Sequence, residues 1–123
     1  MRHPERGSVT IVVASVLAAT IVLAMGAADV ARVYLVAAQA QTAADAAALA
    51  AAQELAVPSG TDPEDVASGF AERNGADLVA CECSSDATEA VVEVRVAVGP
   101  LLLFADDRVV VAEARGVVDL PPA

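Results

Sequence analysis

Few side chains in this chain are equipped for chemistry. Cys81 and Cys83 form a C-x-C. In an extended strand, side chains at i and i+2 leave the same face about 7 Å apart, so a bond between them must bend the chain locally. The pair has several possible fates: a strained local disulfide loop, a cross-link to another chain, or two reduced thiols filling half-buried positions. A zinc site needs two more ligands, and the only histidine, His3, lies at the far end of the chain. Asp106-Asp107 is a paired acid on a turn before a valine-rich stretch. Paired carboxylates do acid–base work only inside a pocket, so this pair reads as a solvated turn. No nucleophile elbow, phosphate loop or dinucleotide fingerprint is present, and no second histidine is available as a base. Neither an enzyme nor a bound cofactor is expected.

The composition narrows the class further. Apolar residues make up 57% of the chain but aromatics only 2%, so its bulk is alanine and valine. Such side chains build a thin core, and a small unit with a thin core needs partners. The formal net charge is −10, and the seven basic residues are all arginine. That balance repels phosphate backbones and disfavours nucleic acid as a partner, so none is expected.

The element that must position everything else is at the N-terminus. Residues 9–28 hold no charge and no proline, and they follow Arg2, His3 and Arg6. Twenty apolar residues in a helix rise about 30 Å, the thickness of a bilayer's hydrocarbon core. Val9, Ile11, Val12, Val13 and Val16 form the first part of this expected membrane anchor. Leu17, Ile21, Val22 and Leu23 complete it. Thr10, Ser15 and Thr20 can return hydrogen bonds to the helix's own carbonyls. Two arginines before the run and Arg32 after it favour a cytoplasmic N-terminus in a single-pass plasma-membrane protein. Tyr34 falls where an interfacial aromatic would sit.

A cleaved signal peptide is the competing reading, with small residues around Gly26 to suit a peptidase. The run exceeds the usual apolar region of such peptides, and helix-like sequence continues beyond it, which favours a retained anchor. Residues 29–55 contain no glycine or proline. One helix from about residue 8 to 56 is predicted, with Asp29 and Arg32 placed to pair at i, i+3. Its alanine stripe must pack on its own domain or on neighbouring helices. Ala14 and Ala18, at small-x-x-x-small spacing, together with Ala44, Asp45 and Ala48, are candidate contacts with a neighbouring subunit. A homo-oligomer is among the expected assemblies.

Past Pro58-Ser59-Gly60-Thr61 the pattern changes. Asp62 reads as an N-cap, Pro63 as the first helical residue and Asn74-Gly75 as the stop of a short helix. Val66, Ala67 and Phe70 would cover a sheet. Residues 77–83, 88–98 and 108–118 read as three strands. In the second, Val92, Val94, Val96 and Val98 alternate with Glu89, Val91, Glu93 and Arg95. Leu101-Leu102-Leu103-Phe104 is a short apolar run, either packed on the core or exposed to a partner or the membrane surface. Residues 120–123 form a tail. The predicted fold class is α+β with a pilin-like layout: a long transmembrane helix that continues into water, a second short helix and a three-stranded antiparallel sheet. The expected divisions are 1–8 cytoplasmic, 9–28 transmembrane, 29–56 helix extension and 57–123 extracytoplasmic domain.

Gln41-Thr42-Ala43-Ala44-Asp45-Ala46-Ala47-Ala48-Leu49-Ala50 carries a family resemblance, together with Arg6-Gly7-Ser8-Val9 and Asp29-Val30-Ala31-Arg32-Val33-Tyr34-Leu35. The first 55 or so residues resemble TadE/TadG-like proteins of the tight-adherence (Flp) pilus machinery, most of all their short actinobacterial members. The resemblance implies a membrane-anchored, pseudopilin-like role beside other pilus or secretion components. Many prepilin-like members carry glutamate five residues after the glycine at which a peptidase cuts. Here Gly7 is followed at that offset by Val12.

Overall fold

Between Gly26 and Pro58 nothing interrupts a helix, and alanine dominates. The computed structural model describes residues 6–104 and 107–119. In it helix α1 runs unbroken from Arg6–Ala56, about 76 Å at 1.5 Å per residue. The expectations placed on Arg2, His3, Asp106 and the 120–123 tail lie outside the described residues. Ser15 and Thr20 donate to the carbonyls of Val12 and Val16 at 2.9 and 2.8 Å, and Thr42 does the same to Ala38. These hydroxyls are satisfied within the helix and need no water.

The remaining elements gather on the C-terminal half of α1. They are helix α2 (Pro63–Arg73) and strands β1 (Asp77–Glu82), β2 (Glu89–Ala97) and β3 (Val109–Val117). The strands form an antiparallel sheet in the order β1-β2-β3, with β1 bulged between Leu78 and Ala80. This is the α+β order expected from the sequence.

Ala40, Ala43, Ala44, Ala47, Ala48, Ala51 and Ala52 fall at alternating spacings of three and one, which is one face of a helix. That face is buried against Ala90, Val92, Val94 and Val96 of β2 and Ala114 of β3. With methyl groups on one side and short side chains on the other, helix and sheet lie close. The closest approach is at Gly116 on β3. A Cβ built there would stand 2.5 Å from the carbonyl oxygen of Ala48 and 2.9 Å from the Ala52 methyl. Only hydrogen fits.

Helix α2 begins as the sequence indicates: Asp62 caps it by accepting from the Glu64 amide at 2.9 Å, and Pro63 opens the first turn. Gly75, at φ +76°, ends it. The Gln39 side chain donates to the Asn74 carbonyl at 3.0 Å and ties that turn to α1. The buried face of α2 keeps Ala67 of the expected one but not Phe70. Ala67 and Ala71 are enclosed, chiefly against α1, while Phe70 is exposed with Arg73 over its ring. A small face was required because α2 packs beside an alanine helix and not across the sheet. Glu54 closes the link between the helices by accepting from the Ser59 amide at 2.6 Å and from the Ser59 hydroxyl. Those bonds, the Ser59 amide first, hold its carboxyl below the usual glutamate value.

The helix–sheet contact predicts the effect of two glycine substitutions. Gly116→Ala should destabilise the folded head by about 1–3 kcal/mol through overpacking. Gly69→Ala, in α2 with open space around it, should stabilise by up to about 1 kcal/mol. Denaturant midpoints of the full chain in detergent measure both.

Candidate functional site

The exposed half of α1 presents the first functional surface. Val9, Ile11, Val12, Val13 and Val16 are all exposed, as are Leu17, Ile21, Val22 and Leu23. Ala14 and Ala18 lie exposed on the same stretch. So many large apolar side chains in water would be costly, at roughly 25 cal/mol per Å² of apolar surface. The segment is long and apolar enough to cross a membrane.

The second surface is the junction where this stretch meets the head. Asp29 is the first charge after the apolar run, and it is 3% exposed. Its two carboxylate oxygens accept from the backbone amides of Leu102 and Leu103 at 2.7 and 2.8 Å. Three residues on, the Arg32 guanidinium donates to the carbonyl of Pro100. The expected Asp29–Arg32 pair is thus replaced: both side chains hold the β2–β3 loop rather than each other. A carboxylate bonded to two aligned amides gains more than it would from an exposed ion pair. Leu103 reaches below Asp29, its Cδ1 3.5 Å from where a Cβ on Gly26 would stand. Between the loop and helix lies a groove of about 310 Å³, lined by Val30, Val33, Tyr34 and Ala37 of α1 and by Leu101 and Phe104 of the loop.

Ala44 and Ala48 were expected to touch a neighbouring subunit. They are buried at 0% and 2% exposure beneath the chain's own sheet, where Ala48 meets Gly116, and in this fold they are closed to another chain. The physical reason is that an alanine stripe fits the nearest small-residue surface, which here is β3. Asp45, beside the stripe, is exposed and accepts from Gln41 at 3.0 Å; the same Gln41 amide donates to the Glu113 carbonyl of β3 at 3.5 Å. Cys81, in β1, and Cys83, one residue past its end, are joined by a disulfide with Cα atoms 5.4 Å apart. This is closer than an extended strand allows, and the strand stops there. Among the described residues no group of histidine, cysteine, aspartate and glutamate side chains could hold a metal ion.

The junction was not anticipated from the sequence. Its only advance signal is Asp29 itself, a carboxylate at the end of an apolar run that must find donors. Nothing local says that the donors lie more than seventy residues away.

The chain thus joins an apolar helix that fits a single-pass membrane anchor, without a break, to a small α+β head. Residues 7–54 match the model of the putative Flp pilus-assembly TadE/G-like family, and this part of the chain is a TadE/G-like segment. The match spans nearly all of α1 and ends before α2. It supports a role in Tad pilus assembly. No curated protein and no solved structure matches the chain.

The clamp predicts that Asp29→Asn, which keeps one acceptor and loses the other, frees the loop. Hydrogen bonds to a charged acceptor contribute about 1.5–3 kcal/mol, so exchange at the Leu102 and Leu103 amides should quicken about tenfold or more. Exchange at Val92 and Val94 should stay unchanged. Hydrogen-exchange NMR or mass spectrometry of the full chain reads both.

Proposed function

We propose that the chain is a minor, pseudopilin-like subunit, anchored in the plasma membrane by residues 9–28, that assists assembly of an Flp/Tad-type pilus or a related secretion system. Its N-terminus is cytoplasmic and its head extracytoplasmic. The observation that carries this reading is the exposed apolar half of α1, continuous with a half that is packed into the head. The TadE/G-like match covers that same helix. Arginines at positions 2 and 6 before the span support the orientation. A disulfide between Cys81 and Cys83 suits an exported domain.

In this reading α1 is retained. A peptidase cut between residues 26 and 29 would fall at the place where the β2–β3 loop contacts Gly26 and Asp29. Cleavage there would strip the Leu103 contact with Gly26 and leave Asp29, which holds the loop, at or next to a new chain end. Without glutamate five residues after Gly7, the chain stands apart from subunits processed for a filament core. It acts beside the filament rather than within it.

Contacts with sister subunits use two places. In lipid, Ala14 and Ala18 allow close approach of a second helix. Outside it, Asp45 presents one carboxylate from an otherwise apolar run, a single polar group of the kind that fixes register between packed helices.

Leu17→Arg places a charge at mid-bilayer at a cost of about 2.5–3.5 kcal/mol on insertion scales. It should move the chain out of the membrane fraction, and unchanged fractionation would refute the span. N-terminal sequencing of membrane-bound wild-type protein should read upstream of residue 26. A mature start near Asp29 in culture fluid would establish the secreted form instead. Asp45→Ala should lower recovery of partner subunits in a pull-down from solubilised membranes while anchoring persists; equal recovery removes Asp45 from the contact.

A further inference from the structure

The β2–β3 loop puts apolar side chains where a soluble head would hide them. Leu102, Leu103 and Phe104 are 59%, 42% and 49% exposed. They are not strays at the tip of a loop. The Asp29 carboxylate and the Arg32 guanidinium fix their backbone against α1 at the end of the apolar run. The loop is held down toward the span, with Leu103 level with Gly26, one turn inside the uncharged segment.

We propose that this loop inserts into the outer interface of the lipid bilayer as a second membrane contact beside the α1 span. The proposal rests on the anchored reading above and adds to it a seat for the head. Four observations favour lipid as the occupant. First, the patch is continuous with residues 9–28, the surface that itself fits a membrane. Second, the chain has only three aromatic residues. Two of them, Tyr34 and Phe104, line the groove at this level, the place aromatic side chains take at a membrane surface. Third, two of the seven arginines stand here: Arg32 on the loop backbone, and Arg108 with its guanidinium 5.3 Å from the Phe104 ring centre. Cations on apolar stems suit the phosphate layer above buried hydrocarbon. Fourth, the four residues from Leu101 to Phe104 carry no charge, although the chain as a whole is strongly acidic.

The contact has a geometric result. One helix crossing a bilayer leaves its head free to rotate and tilt about the axis. A second insertion point on one side of α1 removes that freedom and presents a fixed side of the sheet to neighbours in the membrane plane.

The chain has no tryptophan, so a single introduced one reports its own surroundings. The full chain would be reconstituted in phosphatidylcholine vesicles, with or without bromine high on the acyl chains, as four variants. Leu17→Trp reports the span, Leu102→Trp the loop, and Phe104→Trp the loop through a conservative exchange. Val79→Trp reports the exposed β1 bulge. The expected result is emission lowered about twofold by bromolipid for Leu17→Trp, Leu102→Trp and Phe104→Trp, as for side chains at membrane depth, and no change for Val79→Trp. Quenching at Leu17→Trp with none at either loop variant would overturn the insertion and leave the anchor standing. Blue-shifted loop emission that bromolipid leaves untouched would mean a protein, not lipid, covers the patch, and would also overturn it. Absence of quenching at Leu17→Trp would remove the anchor and the loop contact together.

Discussion

The structure depends on how closely one helix can approach one sheet. The buried face of α1 is built from alanine, and the strand surface beneath it offers alanine, valine and, at Gly116, bare backbone. A chain with almost no aromatic residues cannot fill a thick interior. It obtains close packing by thinning the interior until methyl groups suffice, which is the density folded proteins require. The other head elements follow. Helix α2 brings Ala67 and Ala71 to the same helix, and β1 need only cover the outside of β2.

Much of this architecture was legible because it is written locally. Helix α1 shows as an absence of breakers, β2 as alternating valines, and the start of α2 as Asp62-Pro63. What stayed hidden was every choice between two partners of the same chemistry. Ala44 and Ala48 suit a neighbouring helix as well as the chain's own β3, and spacing alone does not tell them apart. The same holds for α2, where Ala67 is buried as expected but Ala71, not Phe70, completes the buried face.

The Asp29 clamp was hidden for another reason. Its donors belong to backbone amides, which every residue but proline possesses, so no side-chain pattern marks them. The clamp brings the lone acid at the end of the apolar run together with the apolar loop after β2. In isolation each had a local reading: the acid as a partner for Arg32, and the leucines as a short apolar run, either packed on the core or exposed. Together they make one device, in which the loop's amides shield the carboxylate and the carboxylate holds the loop in place. The TadE/G-like match stops before the loop is reached, so its other half comes from the part of the chain that the family model leaves undescribed.

Helix α1 carries a mechanical consequence. It passes from the exposed apolar stretch into the head with no glycine or proline after Gly26 and before Pro58, and the loop braces it at the crossing point. Helices bend sharply at such residues, and here there are none. From Gly26 to Pro58 the rod has no elastic joint to soak up work. A pull, push or twist delivered to the sheet is carried along this stretch as the same displacement or rotation, much as a piston rod carries load.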